Sequence, residues 1–317
     1  MSASTDADRT LSTLLACPLD RSDLESDGSG WRCRNGGHSF GRGDHGYLEL
    51  ARPGSPVLTI ESTSSECAHI QESGGERVYR EYLADWLRGP RGGTGLTVLD
   101  AGSGTGTAVA EARRDGHCAV GLDMSAVAAY WRAAGRPADQ FVVGSVTEMP
   151  FADDAFDVAW TLGVMEHVGT TTGHLTLASD WRQQRAEFAR ELLRVVRPGG
   201  RILMACPNKS FPLDIQHGPT DEQTQAPLRA RIFDRFGVNV HQVWGSYHLP
   251  SYRDVDRWFG RERVRPLPLA SYFGFSALER PGVPQPAARA ARWWVESMPP
   301  ALRRTGLNPY VLVEIVV

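Results

Sequence analysis

The sequence predicts an α/β fold, a mainly parallel sheet covered by helices on both faces. Three observations carry that expectation. Strand-like and helix-like segments alternate from about Arg77 to the C-terminus, as chains of βαβ units do. The run VLDAGSGTG, Val98 to Gly106, brings an acidic residue and three glycines to the end of the first such strand. Glycines there let the backbone turn at positive φ and approach a ligand closely. A second acid, Asp123, closes the next strand-like segment, CAVGLD, about 20 residues on, where a ribose-binding carboxylate is expected.

The elements follow in order. Residues 1–55 are glycine-rich, poor in helix formers, and form one compositional unit. Residues 56–75 are polar and serine-rich and read as a linker. From Arg77, VYREYLADWL carries apolar and aromatic residues at helical spacing, which predicts a helix ahead of the sheet. Then come the strand LTVLD, a helix to about Arg114, the strand CAVGLD, the helix SAVAAYWRAA and the strand QFVVG. FDVAWTL is the next strand, followed by a long helix from about Leu177 to Val196, the strand RILMAC, and YVLVEIVV as a closing strand. The second domain is therefore expected over 76–317. No internal repeat is evident.

Composition narrows the function classes. The chain has 317 residues and a formal net charge of -3, which gives no general attraction to nucleic acid or to an anionic membrane. No apolar run approaches the ~20 residues a membrane span needs. The start MSASTDADRT lacks the basic and apolar parts of a signal peptide. A cytoplasmic enzyme is expected. Cysteines 17, 33, 67, 118 and 206 are odd in number and scattered, which argues against a disulfide framework. Lys209 is the only lysine, so an anion site here must use guanidinium groups.

The loop Gly102-Ser103-Gly104-Thr105-Gly106 after Asp100 does not match the dinucleotide pattern G-x-G-x-x-G. It resembles the class I S-adenosylmethionine-dependent methyltransferases, and the resemblance runs from about Arg77 to the C-terminus. It implies a Rossmann-like seven-stranded sheet of order 3-2-1-4-5-7-6 with S-adenosyl-L-methionine as methyl donor. Asp100, Gly102, Ser103, Gly104 and Gly106 would pack under the methionine and ribose, with Asp123 and Met124 at the ribose. Asp123 read by itself is equally a strand-end acid or the N-cap of the next helix. GSVTEMPFADDAFDVAW matches the family's third segment, with Ser145 where an aspartate usually meets the adenine amino group, and Val146 beside it. Leu162 completes the implied cofactor set. Met149 to Phe151 are expected to pack against the sheet, and Asp157 to be either a hydrogen-bonded edge acid or a cofactor residue. Gly199 and Gly200 of RPGG are expected to cap the helix and turn into the fifth strand.

Three stretches are candidates to meet the acceptor beyond the strand ends. TLGVMEHV resembles the end of the E-x-x-E-H motif of ubiquinone-pathway O-methyltransferases, with Gly163 in place of the first glutamate, which weakens a magnesium site. His167 there either lines the cofactor pocket or caps a helix. In PNKSFPLDIQHG, His217 can take a proton from an acceptor hydroxyl while Asp214 orients it; a loop histidine bonded to backbone is the plainer alternative. An insertion over about 211–266 interleaves arginines with aromatic residues. It reads either as a lid for an anionic or ring-bearing acceptor, or as a helical cap with aromatics inward and arginines in solvent. This half resembles methyltransferases of polysaccharide and natural-product pathways, which implies a small-molecule acceptor, an oxygen of a sugar or secondary metabolite.

LLACPLDRSDL and WRCRNGGHSFGRGDHGYLEL resemble the zinc-binding head of ribosomal RNA guanine methyltransferases. The implied ligands of a structural zinc are Cys17, Asp20, Cys33 and His38, Asp20 standing where the family has cysteine. The alternative is a metal-free knuckle held by Trp31, Phe40 and Tyr47. Residues 1–55 hold six arginines and no lysine against eight Asp and Glu, so RNA is disfavoured as a partner. The head would instead support the pocket or mediate a homodimer. Two other readings stay open, an RNA base methyltransferase and a protein that keeps the cofactor fold for another purpose, such as a cyclisation.

Overall fold

The computed structural model describes residues 11–26, 30–52, 65–89, 93–171, 176–214, 216–217, 227–245, 247–275 and 285–317. They form an α/β, Rossmann-like fold whose main sheet is mixed and has eight strands. Contacts divide the chain into two units, Met1–Thr161 with Ala186–Ile202 and Val316–Val317, and Leu162–Arg185 with Leu203–Ile315.

The first unit opens with a short helix, α1 (Leu11–Leu14), and a small antiparallel sheet of β1 (Leu24–Ser26), β2 (Trp31–Cys33) and β3 (Ser39–Phe40). Next come β4 (Leu48–Glu49), α2 (Ser65–Val78), a π-helical turn over Tyr79–Leu83 and α3 (Ala84–Arg88). The region expected as a linker is thus helical from Ser65, and residues 53–64 lie outside the described ones. Its serines, glutamates and the pair Gly74–Gly75 leave no apolar stripe from which the helix could be read.

The sheet proper follows with β5 (Thr97–Ala101), α4 (Thr107–Arg114), β6 (Cys118–Asp123), α5 (Ser125–Ala133), β7 (Phe141–Val143) and β8 (Phe156–Leu162). β5 is buried at every residue, as a central strand covered on both faces must be. Within this unit the order is β8-β5-β6-β7-β4, with β5, β6, β7 and β8 parallel. That is the implied 3-2-1-4, with one strand more than expected. β4 pairs in parallel with β7, Leu48 opposite Val142, and Leu50 N–H donates to the Val143 carbonyl at 2.8 Å. A two-residue strand has no periodicity to read, so only the burial of Leu48 and Leu50 gives it away.

α6 (Trp181–Val195) leads directly into β9 (Val196–Pro207). The expected cap and turn at RPGG is absent as such: Gly199 and Gly200 lie inside β9. Gly199 keeps a φ of 78°, and its amide donates to the Val317 carbonyl at 2.9 Å. A Cβ on Gly200 would sit 2.6 Å from the Asp157 carbonyl oxygen. The glycines therefore allow strand contacts there.

The second unit carries the end of β9, then β10 (Leu213–Asp214), α7 (Pro227–Phe236), β11 (Asn239–Val240), α8 (Tyr252–Phe259), β12 (Val264–Pro266), α9 (Gln285–Ser297) and β13 (Tyr310–Val316). Its part of the sheet runs β9-β13-β12, with β12 antiparallel to β13, which is the implied 5-7-6. In α8, Ser251 and Asp254 form a reciprocal capping box. Tyr252, Val255 and Phe259 are buried while Arg257 is exposed. For α8 the inward-aromatic, outward-arginine pattern of a helical cap therefore holds. α7 buries no residue fully, and residues 218–226 of the insertion lie outside the described ones.

Candidate functional site

In the first unit, the glycine loop connects β5 to α4. Gly102, Gly104 and Gly106 have φ of 94°, 50° and 73°, a region closed to most side chains. The loop is tied to the end of β6. Gly102 and Ser103 N–H both donate to the Leu122 carbonyl, at 2.8 and 3.1 Å. Gly104 N–H donates to Asp123 Oδ2 at 2.7 Å, and Met124 N–H to Asp123 Oδ1 at 2.8 Å. Each carboxylate oxygen of Asp123 thus holds one amide and keeps a lone pair for a hydroxyl. Burial pushes the Asp123 carboxyl up to about 6 against the pull of those two amides. Asp100 behind it is pushed up to about 7, again by burial; the Trp160 indole opposes this and the Asp123 charge adds to it. Ser103 Oγ is buried without a hydrogen-bond partner among the described residues. A positive-φ cradle, a two-oxygen acceptor and an unpartnered hydroxyl fit the sugar end of a nucleoside cofactor.

Other expected residues divide. Ser145 Oγ lies 2.8 Å from Thr147 Oγ1 and accepts the Thr147 N–H at 3.2 Å, so it shapes the turn that carries Val146. Asp157 is structural: it accepts Thr97 N–H at 2.7 Å and Arg197 Nε at 2.5 Å. Met149 and Phe151 are buried, as expected. Glu191 and Arg194 of α6 clamp that segment. Glu191 Oε2 accepts Met149 N–H at 2.8 Å, and Arg194 donates to the Met149 and Phe151 carbonyls at 3.0 and 2.7 Å. Leu162 ends β8, half-buried.

In the second unit, Asp214 and His217 are joined, His217 Nδ1 lying 2.9 Å from Asp214 Oδ2. Asp214 is buried, and its other oxygen accepts the Gln216 and His217 amides at 2.9 and 3.1 Å. Burial raises the Asp214 carboxyl, but the His217 hydrogen bond and charge outweigh it and the carboxyl lies below its usual range. Burial likewise opposes the His217 imidazolium, and Asp214 outweighs it, so the imidazole is raised. His167 packs edge-on against His217 at 5.2 Å between ring centroids. The His217 ring is thus bonded to a buried carboxylate.

Two members of this cluster, His248 and Arg185, carried no sequence signal. His248, which is fully buried, meets His217 edge-on at 4.8 Å. Burial and the His217 charge hold it neutral down to about 2. Arg185 is buried on α6 and donates to the carbonyls of Val168, Glu166 and His248 at 2.9, 3.0 and 2.7 Å. It thereby ties two remote segments together. Tyr247 donates its hydroxyl to Asp214 Oδ2 at 3.4 Å and stacks on His241 at 4.4 Å. Glu166 is 1% exposed, and burial pushes its carboxyl up to about 7.

The head brings its four expected ligands together. Ligand atoms of Cys17, Asp20, Cys33 and His38 lie within 4.8 Å of one another. Cys17 Sγ is 3.4 Å from His38 Nδ1, and Cys33 Sγ is 3.1 Å from Asp20 Oδ2. Burial pushes the Cys17 thiol up to about 11. Cys33 also feels burial, but hydrogen bonds from Ser22 and the Gly36 amide help bring it below its usual value. Two sulfurs, an imidazole and a carboxylate at this spacing fit a tetrahedral zinc site. Tyr47, one of the residues of the metal-free alternative, packs on Trp131 and Phe141 at 5.1 and 6.3 Å.

Residues 99–204 match the family described as methyltransferase domain. Among curated proteins, the chain is 33% identical over 138 residues to a malonyl-[acyl-carrier protein] O-methyltransferase of Erwinia pyrifoliae, covering 44% of each. It is 34% identical over 132 residues to a demethylmenaquinone methyltransferase of Beutenbergia cavernae, covering 42% of this chain and 48% of that one. The chain thus spans about half the length of the curated relatives it matches. Among solved structures, a complex of the Haloferax volcanii Trm112 methyltransferase activator with a methyltransferase aligns at 19% identity and a TM-score of 0.46, over 78% of this chain and 94% of that one.

Proposed function

We propose that the chain binds S-adenosylmethionine at the Gly102–Gly106 loop and transfers its methyl group to a small-molecule acceptor, an oxygen of a sugar or secondary metabolite. One observation carries the reading. Asp123, gripped by the amides of Gly104 and Met124, stands at the end of β6 beside a loop of three positive-φ glycines. The methyltransferase-domain match over 99–204 supports it, as do the two relatives named malonyl-[acyl-carrier protein] O-methyltransferase and demethylmenaquinone methyltransferase.

The bound cofactor supplies a methyl group on a positive sulfonium. Asp123 accepts the ribose hydroxyls, Gly102 to Gly106 and Ser103 line the sugar and methionine end, and the Ser145–Val146 turn borders the adenine. Displacement at a sulfonium methyl requires mainly alignment and exclusion of water. The acceptor gives up its proton at the Asp214–His217 pair, with His167 beside it. Cys17, Asp20, Cys33 and His38 hold a structural zinc in the head. The acidic balance of residues 1–55 supports a small acceptor over RNA.

The test is transfer of labelled methyl from S-adenosylmethionine by the purified protein. Label in small-molecule extracts and none in ribosomal or transfer RNA is the expected outcome. Label in RNA alone, or binding of the cofactor with no transfer to any extract, would overturn the assignment.

A further inference from the structure

His248 is fully buried, and neither of its ring nitrogens has a hydrogen-bond partner among the described residues. Glu166, 1% exposed, holds Oε2 in the same state. Burying such atoms with nothing to bond is costly, so each calls for a ligand. Both belong to groups centred on His217. Ligand atoms of Glu166, His167 and His217 lie within 4.8 Å of one another, as do those of Asp214, His217 and His248. His217 Nδ1 is already engaged by Asp214 at 2.9 Å, which leaves Nε2 as its coordinating nitrogen. That is the carboxylate–histidine–metal arrangement, in which the outer carboxylate fixes the ring and raises its basicity.

We propose that Glu166, His167, His217 and His248 hold a divalent first-row transition-metal ion, with Asp214 orienting His217 from behind. Imidazoles with one carboxylate and no thiolate suit zinc, iron, cobalt or nickel. Magnesium and calcium prefer an all-oxygen shell. The site differs from the head in position and in donor chemistry, since the head offers two sulfurs. Arg185 does not oppose the ion as a bare cation, because its guanidinium donates to the carbonyls of Val168, Glu166 and His248. Those bonds hold two of the ligand-bearing residues, Glu166 and His248, in place. Ligand atoms around such an ion sit about 3–4 Å apart for bonds of ~2.1 Å; within each group they need close only slightly, and to share one ion the two groups must converge on His217 Nε2. The ion binds whether or not the chain transfers methyl groups.

The test is a cobalt titration of the full chain after treatment with a chelator, with total bound cobalt measured at equilibrium. Cobalt in the head gives thiolate charge-transfer absorption; cobalt at the histidines gives d–d bands without it. A thiolate-free equivalent is expected, displaced by zinc and not by magnesium alone. Glu166→Gln and His248→Ala should remove it while the thiolate bands stay. Asp214→Asn should weaken it by about 10- to 100-fold. Near-UV circular dichroism checks folding, and the near-isosteric Glu166→Gln decides if His248→Ala does not fold. No thiolate-free cobalt in the wild type, or equal binding in Glu166→Gln, would overturn the site.

Discussion

Trp131 donates its indole N–H to the carbonyl of Gly104 at 2.7 Å. The middle of the cofactor loop is therefore held by a buried side chain of α5 as well as by its own glycines. Trp131 packs against Phe141 at 4.8 Å and against Tyr47 of the head at 5.1 Å, so residues near 47 buttress the wall behind the loop. Trp131→Phe keeps an aromatic side chain, though a smaller one, and removes the donor. A lost hydrogen bond of about 1 kcal/mol should weaken S-adenosylhomocysteine binding by roughly fivefold, measured by calorimetry.

Gly106 is required twice over. Its φ is 73°, and a Cβ there would lie 2.5 Å from Phe141 Cε1. Gly106→Ala should destabilise the fold by about 2–4 kcal/mol from overpacking and backbone strain together. Gly135 has a φ of 64° but nothing within 4 Å of its added Cβ, so Gly135→Ala should cost only about 1 kcal/mol. Urea denaturation of the two variants checks the difference.

Cofactor affinity should fall with acid. Burial sets the Asp123 carboxyl at about 6, and its protonated form loses acceptor capacity for the ribose. Affinity is then full above about pH 7 and drops through pH 6. Stability runs the other way. A carboxyl raised on folding favours the folded state at low pH, and that contribution is lost as pH rises from about 4 to about 6. Asp123→Asn should flatten both profiles, read by calorimetry and by thermal melts across that window.

His217→Ala should lower turnover by about 10²–10⁴-fold and leave S-adenosylmethionine affinity within about twofold. Single-turnover methyl transfer and calorimetry on the same protein separate the two quantities.

Much of the first unit is legible locally. The loop from Val98 to Gly106, Asp123 and the strand Phe156–Leu162 occupy contiguous segments whose chemistry is in the residues themselves. Asp214 and His217 lie three positions apart and could be paired from the sequence for that reason. His248 and Arg185 could not. They reach the cluster only through contacts such as the 2.7 Å bond from Arg185 to the His248 carbonyl, which join positions 63 residues apart. β4 escaped for a related reason, since two residues show a strand only once β7 is beside them. α2 hid because its polar composition lacks the apolar period that marks a packed helix.

The most direct measurement is calorimetric titration of the purified full chain, and of its Asp123→Ala variant, with S-adenosylhomocysteine at pH 7.5. The predicted result is saturable binding by the wild type and its loss in the variant. No binding by the wild type, or equal binding by both, would contradict the assignment of the glycine loop and Asp123 as the cofactor site.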